Sequence, residues 1–166
     1  MKLNLKDIIE IPGGYVPFSQ EVGTELLNFP SVLAYTAPIT AEGEVRNTAG
    51  ILELTGKLSA SMQCVCDRCG TEFDRSKQID LHATVTANPE ADDDPEIFAL
   101  EGDWLDLDEV LTTLFILDMD AKILCKEDCA GLCPQCGKNL NDGPCGCKKP
   151  RDPRMAVLEQ LLDDKD

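Results

Sequence analysis

The sequence predicts an α+β fold, in which an antiparallel β-meander is packed by one or two helices and followed by a small cysteine-rich module. Three observations carry this reading. Residues 37–87 alternate apolar and polar side chains in three successive runs, an apolar stripe at helical spacing follows residue 106, and six of the nine cysteines lie between Cys125 and Cys147. A chain of 166 residues accommodates one ordinary domain with an appended module. We place the α+β core at 1–124, with a cysteine knuckle at 66–69, and the cysteine-rich module with a terminal helix at 125–166.

Residues 1–35 are the least periodic part. Pro12, Gly13 and Gly14 mark a turn after a short apolar segment from Leu3 to Ile11, and Pro17, Gly23 and Pro30 punctuate an extended piece. In the first periodic run Ala37, Ile39, Ala41, Gly43 and Val45 alternate with polar or charged neighbours, the period of two of a strand with one buried face. Asn47 to Gly50 reads as a turn. Leu52, Leu54, Leu58, Ala60, Met62 and Cys64 form the second run; Phe73, Ile79, Leu81, Ala83, Val85 and Ala87 form the third. Three such runs joined by short turns predict a meander that is polar on one side.

The segment from Glu90 to Glu96 is an acidic, proline-containing loop. Asp106 then has the chemistry of a helix N-cap, with Glu109 three residues on as its capping-box partner. Val110, Leu111, Leu114, Phe115 and Leu117 supply an apolar stripe that predicts packing on the apolar face of the meander. Beyond the cysteines comes the basic run KKPRDPR. There Asp152 and Pro153 open a predicted last helix with Met155, Leu158, Leu161 and Leu162 on one side.

The net charge of −16 and pI near 4.3 argue against broad contact with a phosphate backbone, which needs Lys and Arg to displace counterions. A basic partner fits better. The amino terminus lacks an apolar stretch with a small-residue cleavage site, and no segment approaches 18 apolar residues, so the expectation is a cytoplasmic protein. In a reducing compartment, nine cysteines point to metal rather than to disulfides.

The cysteines repeat one motif. Cys66 and Cys69 sit in CDRCG and Cys133 and Cys136 in CPQCG. Both are C-x-x-C-G knuckles, in which two thiolates point the same way, backbone N–H groups donate to the sulfurs and glycine permits the turn. Zinc takes four such sulfurs tetrahedrally, so eight ligands predict two ions. The favoured partition closes Cys133, Cys136, Cys145 and Cys147 locally and joins Cys66 and Cys69 to Cys125 and Cys129. A rival partition joins the two knuckles, as in zinc ribbons. Cys64 shares the parity of Leu58 and Met62, which makes it a small buried residue rather than a ligand.

A catalytic zinc keeps an open position and usually uses His or carboxylate; the sole histidine, His82, falls on the polar face of a strand. Closed structural sites are therefore expected, and no catalytic residue is assigned. Asp92, Asp93 and Asp94 lack the glycine and distal glutamate of a calcium loop. Lys148, Lys149, Arg151 and Arg154 form the one compact basic cluster, a candidate contact for RNA phosphate or a partner. A reversible thiol or zinc redox switch is the alternative reading of the same cysteines.

Taken in order, CDRCG, CKEDCAGLCPQCGKNLN and DPRMAVLEQLL resemble the YceD family, the large ribosomal RNA subunit accumulation proteins. The resemblance implies a non-enzymatic bacterial or plastid factor needed for accumulation of 23S ribosomal RNA in ribosome assembly. Its partners would be the large-subunit precursor, rRNA or a basic ribosomal protein. Family members are encoded beside the gene for ribosomal protein L32, which makes L32 a candidate partner.

Overall fold

The computed structural model describes residues 1–86 and 95–147. Its elements are β1 (Lys2–Asn4), α1 (Lys6–Ile9), β2 (Tyr15–Val22), β3 (Val32–Tyr35), β4 (Ile39–Thr48), β5 (Ile51–Val65), β6 (Glu72–Thr86), β7 (Ile97–Ala99), β8 (Trp104–Asp106) and α2 (Leu107–Asp118). The α+β class stands, with a sheet that is mixed and larger than three strands. Its order is β2-β4-β5-β6-β7, with β3 pairing the end of β5 beyond the reach of β4. The β6–β7 pair is parallel; the other pairs of this sheet are antiparallel.

Period-two patterning drives the centre of this sheet. Leu52, Leu54, Leu58, Ala60, Met62 and Cys64 of β5 are all buried, as are Ile79, Leu81, Ala83 and Val85 of β6. Leu58 is register partner to Ala41 on one side and Ile79 on the other, so one apolar layer crosses three strands. Two details differ from the expectation. Ala37 is exposed and precedes β4, whose buried alternation starts at Ile39. Asn47 belongs to the strand, and the β4–β5 turn is made by Ala49 and Gly50, at φ 54° and 95°. Positive φ at both central residues matches the right-handed twist of the flanking strands.

Asn47 shows why the turn starts late. It is 1% exposed; its side-chain amide donates to the carbonyls of Ile8 and Ile9, each at 2.8 Å, and its Oδ1 accepts from Gly50 N–H at 2.8 Å. Asn47→Ala removes all three bonds; the Ile8 carbonyl keeps its bond from Ile11 N–H, while the Ile9 carbonyl and the Gly50 N–H lose the amide as partner. We expect a loss of about 2–3 kcal/mol in denaturant unfolding, with increased hydrogen exchange at Gly50.

The edge strand β2 falls in the piece expected to be extended, and Pro17 is what hides its pairing as a strand of the sheet. A proline is tolerated there because, among the described residues, β2 pairs on one side only, with β4. The alternation of Val16, Phe18 and Val22 was its available signal. Helix α2 starts as expected: the Asp106 carboxylate accepts from the N–H groups of Asp108 (3.1 Å) and Glu109 (3.5 Å). Its buried face is Leu107, Val110, Leu111, Leu114 and Phe115, whereas Leu117, expected in the stripe, is 50% exposed. The fully buried Phe115 packs against Phe29 and Tyr35, with ring centroids 5.9 Å and 6.4 Å away.

The chain leaving α2 is pinned to β6. Lys77 Nζ donates to the Asp118 carbonyl and pairs with its carboxylate, both at 2.7 Å, and Arg75 pairs with Asp120. This directs residues 121–129 toward the tip of the β5–β6 hairpin, where the first cysteines lie. The expected terminal helix opened by Asp152 and Pro153 lies outside the described residues, as do Ala87 and Asp92, Asp93 and Asp94.

Candidate metal centres

The β5–β6 hairpin ends in the first knuckle. Cys66 N–H donates to the Thr71 carbonyl at 2.9 Å, and Gly70 N–H donates to the Cys66 carbonyl at 2.9 Å. The second knuckle repeats these bonds: Cys133 N–H donates to Lys138 at 2.8 Å and Gly137 N–H to Cys133 at 2.9 Å. Gly70 and Gly137 both take the left-handed conformation, at φ 69° and 72°. The repeated C-x-x-C-G motif thus builds the same tight turn twice.

The sulfurs gather in two groups of four. Cys66, Cys69, Cys125 and Cys129 form one, Cys133, Cys136, Cys145 and Cys147 the other, and within each group all Sγ atoms lie within 4.8 Å of one another. The two knuckles therefore sit in different groups, unlike the ribbon arrangement. Cys64 is fully buried in the main core and belongs to neither. His82 is exposed on β6. Lys148, Lys149, Arg151 and Arg154 lie outside the described residues.

The spacing fits a tetrahedral ion. Four sulfurs at about 2.3 Å from a zinc lie about 3.8 Å apart. Cys66 Sγ is 3.7 Å from Cys129 Sγ, and Cys69 Sγ is 3.7 Å from Cys125 Sγ. A disulfide would need about 2.05 Å. The first group is enclosed, with Cys66, Cys69 and Cys129 at 2%, 6% and 3% exposure. In the second, Cys133 is buried while Cys136 and Cys147 are exposed.

Electrostatics fit the same assignment. Burial pushes the Cys66 thiol up, but backbone donors at Cys125, Arg68 and Cys69 outweigh it and bring it down to about 6. Donors on the backbone of Cys136 and Gln135 likewise lower Cys133 to about 6. Cys129 is lowered chiefly by the side-chain amide of Asn141. Cys125 is instead pushed up to about 12, by burial and by sharing hydrogen with Cys69, Cys66 and Cys129. Cys147 also rises to about 12, first through its bond to Cys136. Each group thus has donors built to hold thiolates, and crowding that resists full ionisation unless a cation joins the sulfurs. Among the described residues each group offers four sulfurs, a donor set compatible with zinc.

Sequence reasoning missed the residues around the sulfurs. Asp67, inside the first knuckle, exchanges two bonds with Ile123: its N–H donates to the Ile123 carbonyl at 2.9 Å, and its carboxylate accepts from Ile123 N–H at 2.6 Å. The same carboxylate accepts from the Ser31 hydroxyl. These bonds, Ser31 first, hold the Asp67 carboxyl below its ordinary 3.8. The tether therefore contributes fully above pH 3.8 and is lost as pH falls through the lowered value. Asp67→Ala should expose the Ile123 amide to exchange and weaken metal retention at the first group; unchanged protection would refute the tether. Its sequence signal was weak, because a lone Asp between two cysteines has no periodic context.

Fold and site together define a cysteine-rich α+β protein whose sheet carries one four-sulfur centre at a hairpin tip and a second in the segment that follows. The chain belongs to the YceD family: residues 54–162 match the family model described as large ribosomal RNA subunit accumulation protein YceD. That match begins inside β5 and takes in all eight grouped cysteines. Among individual proteins, an uncharacterized protein of Mycobacterium tuberculosis and one of Mycobacterium bovis are each 29% identical over 117 residues, covering 68% of this chain. The match spans only 56% of the length of those relatives. An uncharacterized protein of Mycobacterium leprae is 24% identical over 151 residues, covering 89% of this chain and 68% of its own. No solved structure matches the chain. Among the described residues, no helix is long and apolar enough to cross a membrane.

Proposed function

We propose that this chain is a non-catalytic cytoplasmic factor for large-subunit ribosome assembly, needed for 23S rRNA accumulation and held in shape by two structural zinc ions. The observation that carries this is the family match over 54–162, which contains both four-sulfur groups. Zinc supplies no chemistry in this reading. It fixes the hairpin tip against residues 121–129 and closes the loop from 133 to 147. A charge of −16 favours a basic ribosomal protein of the large-subunit precursor as the direct partner, with L32 a candidate. Lys148, Lys149, Arg151 and Arg154 are the local exception and the proposed RNA contact.

The test is loss of the gene in its own organism, scored as the ratio of 23S to 16S rRNA, with crosslinking of the tagged protein to ribosomal particles. A lowered ratio and crosslinks to large-subunit precursors are expected. An unchanged ratio would overturn the reading. Recovery of free basic ribosomal proteins without rRNA would assign a chaperone role, whereas rRNA crosslinks would assign direct contact. The exposure of Cys136 and Cys147 favours one second reading, a thiol or zinc redox switch. That reading requires reversible zinc release by mild oxidant with a change in partner binding.

A further inference from the structure

We propose that the Asn139-Leu140-Asn141 segment couples the two centres, so that the ion at the second sets how firmly the first holds its own. The inference rests on the zinc reading above and concerns residues that touch no metal. Between Cys136 and Cys145 the chain turns back on itself: Leu132 bridges to Asn139, Leu140 N–H donates to the Gly131 carbonyl at 2.8 Å, and residues 140–142 form one 3-10 turn. The four sulfurs of the second group bracket this loop in sequence, so their ion fixes its shape.

The loop then reaches out of its own centre. Asn141 Nδ2 donates to Cys129 Sγ, a sulfur of the first group, at 3.3 Å. The amide is held in that pose. Its Oδ1 accepts from Ala130 N–H at 2.9 Å, and Nδ2 also donates to Asn139 Oδ1 at 2.8 Å. A second route runs through Asn139, whose Nδ2 donates to Thr71 Oγ1 at 3.4 Å, while that hydroxyl lies 3.3 Å from Cys69 Sγ. A metal-bound Cys69 thiolate can only accept, so the Thr71 hydroxyl donates to it and accepts from Asn139. Backbone packing keeps the loop close: a Cβ on Gly131 would stand 3.1 Å from the Arg68 carbonyl, and Arg68 Nη1 donates to the Cys129 carbonyl at 3.1 Å. One sulfur of the first centre, Cys129, thus takes an outer hydrogen bond from a side chain that the second centre positions, and a second, Cys69, meets the Thr71 hydroxyl that Asn139 of the same loop contacts.

Outer hydrogen bonds of this kind typically change metal affinity 10- to 100-fold. Asn141 and Asn139 are therefore positioning residues, and by linkage the coupling runs both ways. The test uses the full chain loaded with zinc, and release to a chromophoric chelator, with cadmium-113 spectra of the cadmium-loaded protein. Release should be biphasic, the exposed second centre first. In Cys145→Ser/Cys147→Ser, and separately in the isosteric Asn141→Asp, which cannot donate, the slow phase should quicken roughly tenfold. The cadmium resonance of the first centre should move in both, a change that mere loosening of the loop elsewhere would not produce. Asn141→Ala serves if the aspartate variant does not fold. An unchanged slow phase and resonance in these variants would overturn the coupling. A wild-type chain without bound zinc would instead sink the zinc reading itself, whereas two ions released independently would sink only the coupling.

Discussion

If each four-sulfur group holds zinc as proposed, replacing Cys66 with serine is expected to remove one ion of two and to cost about 4 kcal/mol or more, the range that accompanies lost metals and broken buried networks. Cys66 closes the longest loop in the molecule that a single centre ties. It joins the end of β5 to Cys125 and Cys129, and its sulfur accepts from three backbone N–H groups, at Cys125, Arg68 and Cys69. A serine hydroxyl is a poor zinc ligand at neutral pH, so those donors lose their thiolate acceptor and the three remaining sulfurs, Cys69 and Cys129 of them buried, lose their ion. The sheet itself should survive, because its core of Leu54, Leu58, Ile39 and Val45 does not depend on the knuckle. Native mass spectrometry should find one zinc, and hydrogen exchange should rise at 64–72 and 120–129 while β2 and β4 stay protected. Cys133→Ser should instead raise exchange mainly between 130 and 147. Equal loss everywhere, or retention of both ions by Cys66→Ser, would refute the division into a clamp and a closed loop.

Legibility of the fold followed the strength of local patterning. In β5, apart from Gly56, and from Ile79 to Val85 of β6 every second residue is buried, so side-chain parity alone identified the strands and placed Cys64 in the core. The short strands carry no such signal: among the described residues β1 pairs with β8 and β7 with β6, three residues apiece, and their pairing is set by tertiary context. Leu117 was misread because a stripe drawn through five apolar residues is wider than the face that α2 buries; Leu107, at the helix start, takes the place given to Leu117. At the centres, cysteine spacing favours the grouping found but leaves the ribbon pairing of the two knuckles open; the fold separates them. The supporting residues were not readable. Asp67, Asn139 and Asn141 act through bonds to a backbone group, a hydroxyl and a sulfur as many as 68 residues away, and an Asn or Asp in a loop reads locally as turn chemistry.

Gly56→Val is expected to be the most damaging single change away from the cysteines. Gly43 and Gly56 are register partners at the middle of β4 and β5, and the two backbones approach closely there. A Cβ on Gly56 would lie 2.4 Å from the Glu42 carbonyl oxygen and 2.9 Å from Gly43 Cα, distances that only backbone movement relieves. The opening left by the pair is used: Phe18, the register partner of Gly43 on β2, is 6% exposed, and its ring edge lies 2.9 Å from where a Gly43 Cβ would stand. Valine therefore cannot be absorbed by rotamer changes. It must part β4 from β5 or displace β2, and we expect a loss above about 4 kcal/mol with a collapse of protection across both strands. Gly56 pairs with Leu81, mid-way along the hairpin and well away from Cys66, so the damage starts at a distance from the knuckle. The second centre, closed within residues 133–147, should keep its zinc in this variant while the first releases its ion as the hairpin opens. Wild-type thermal stability in Gly56→Val would show that the strands separate at little cost and would remove the glycine pair from any account of how this sheet presents its knuckle.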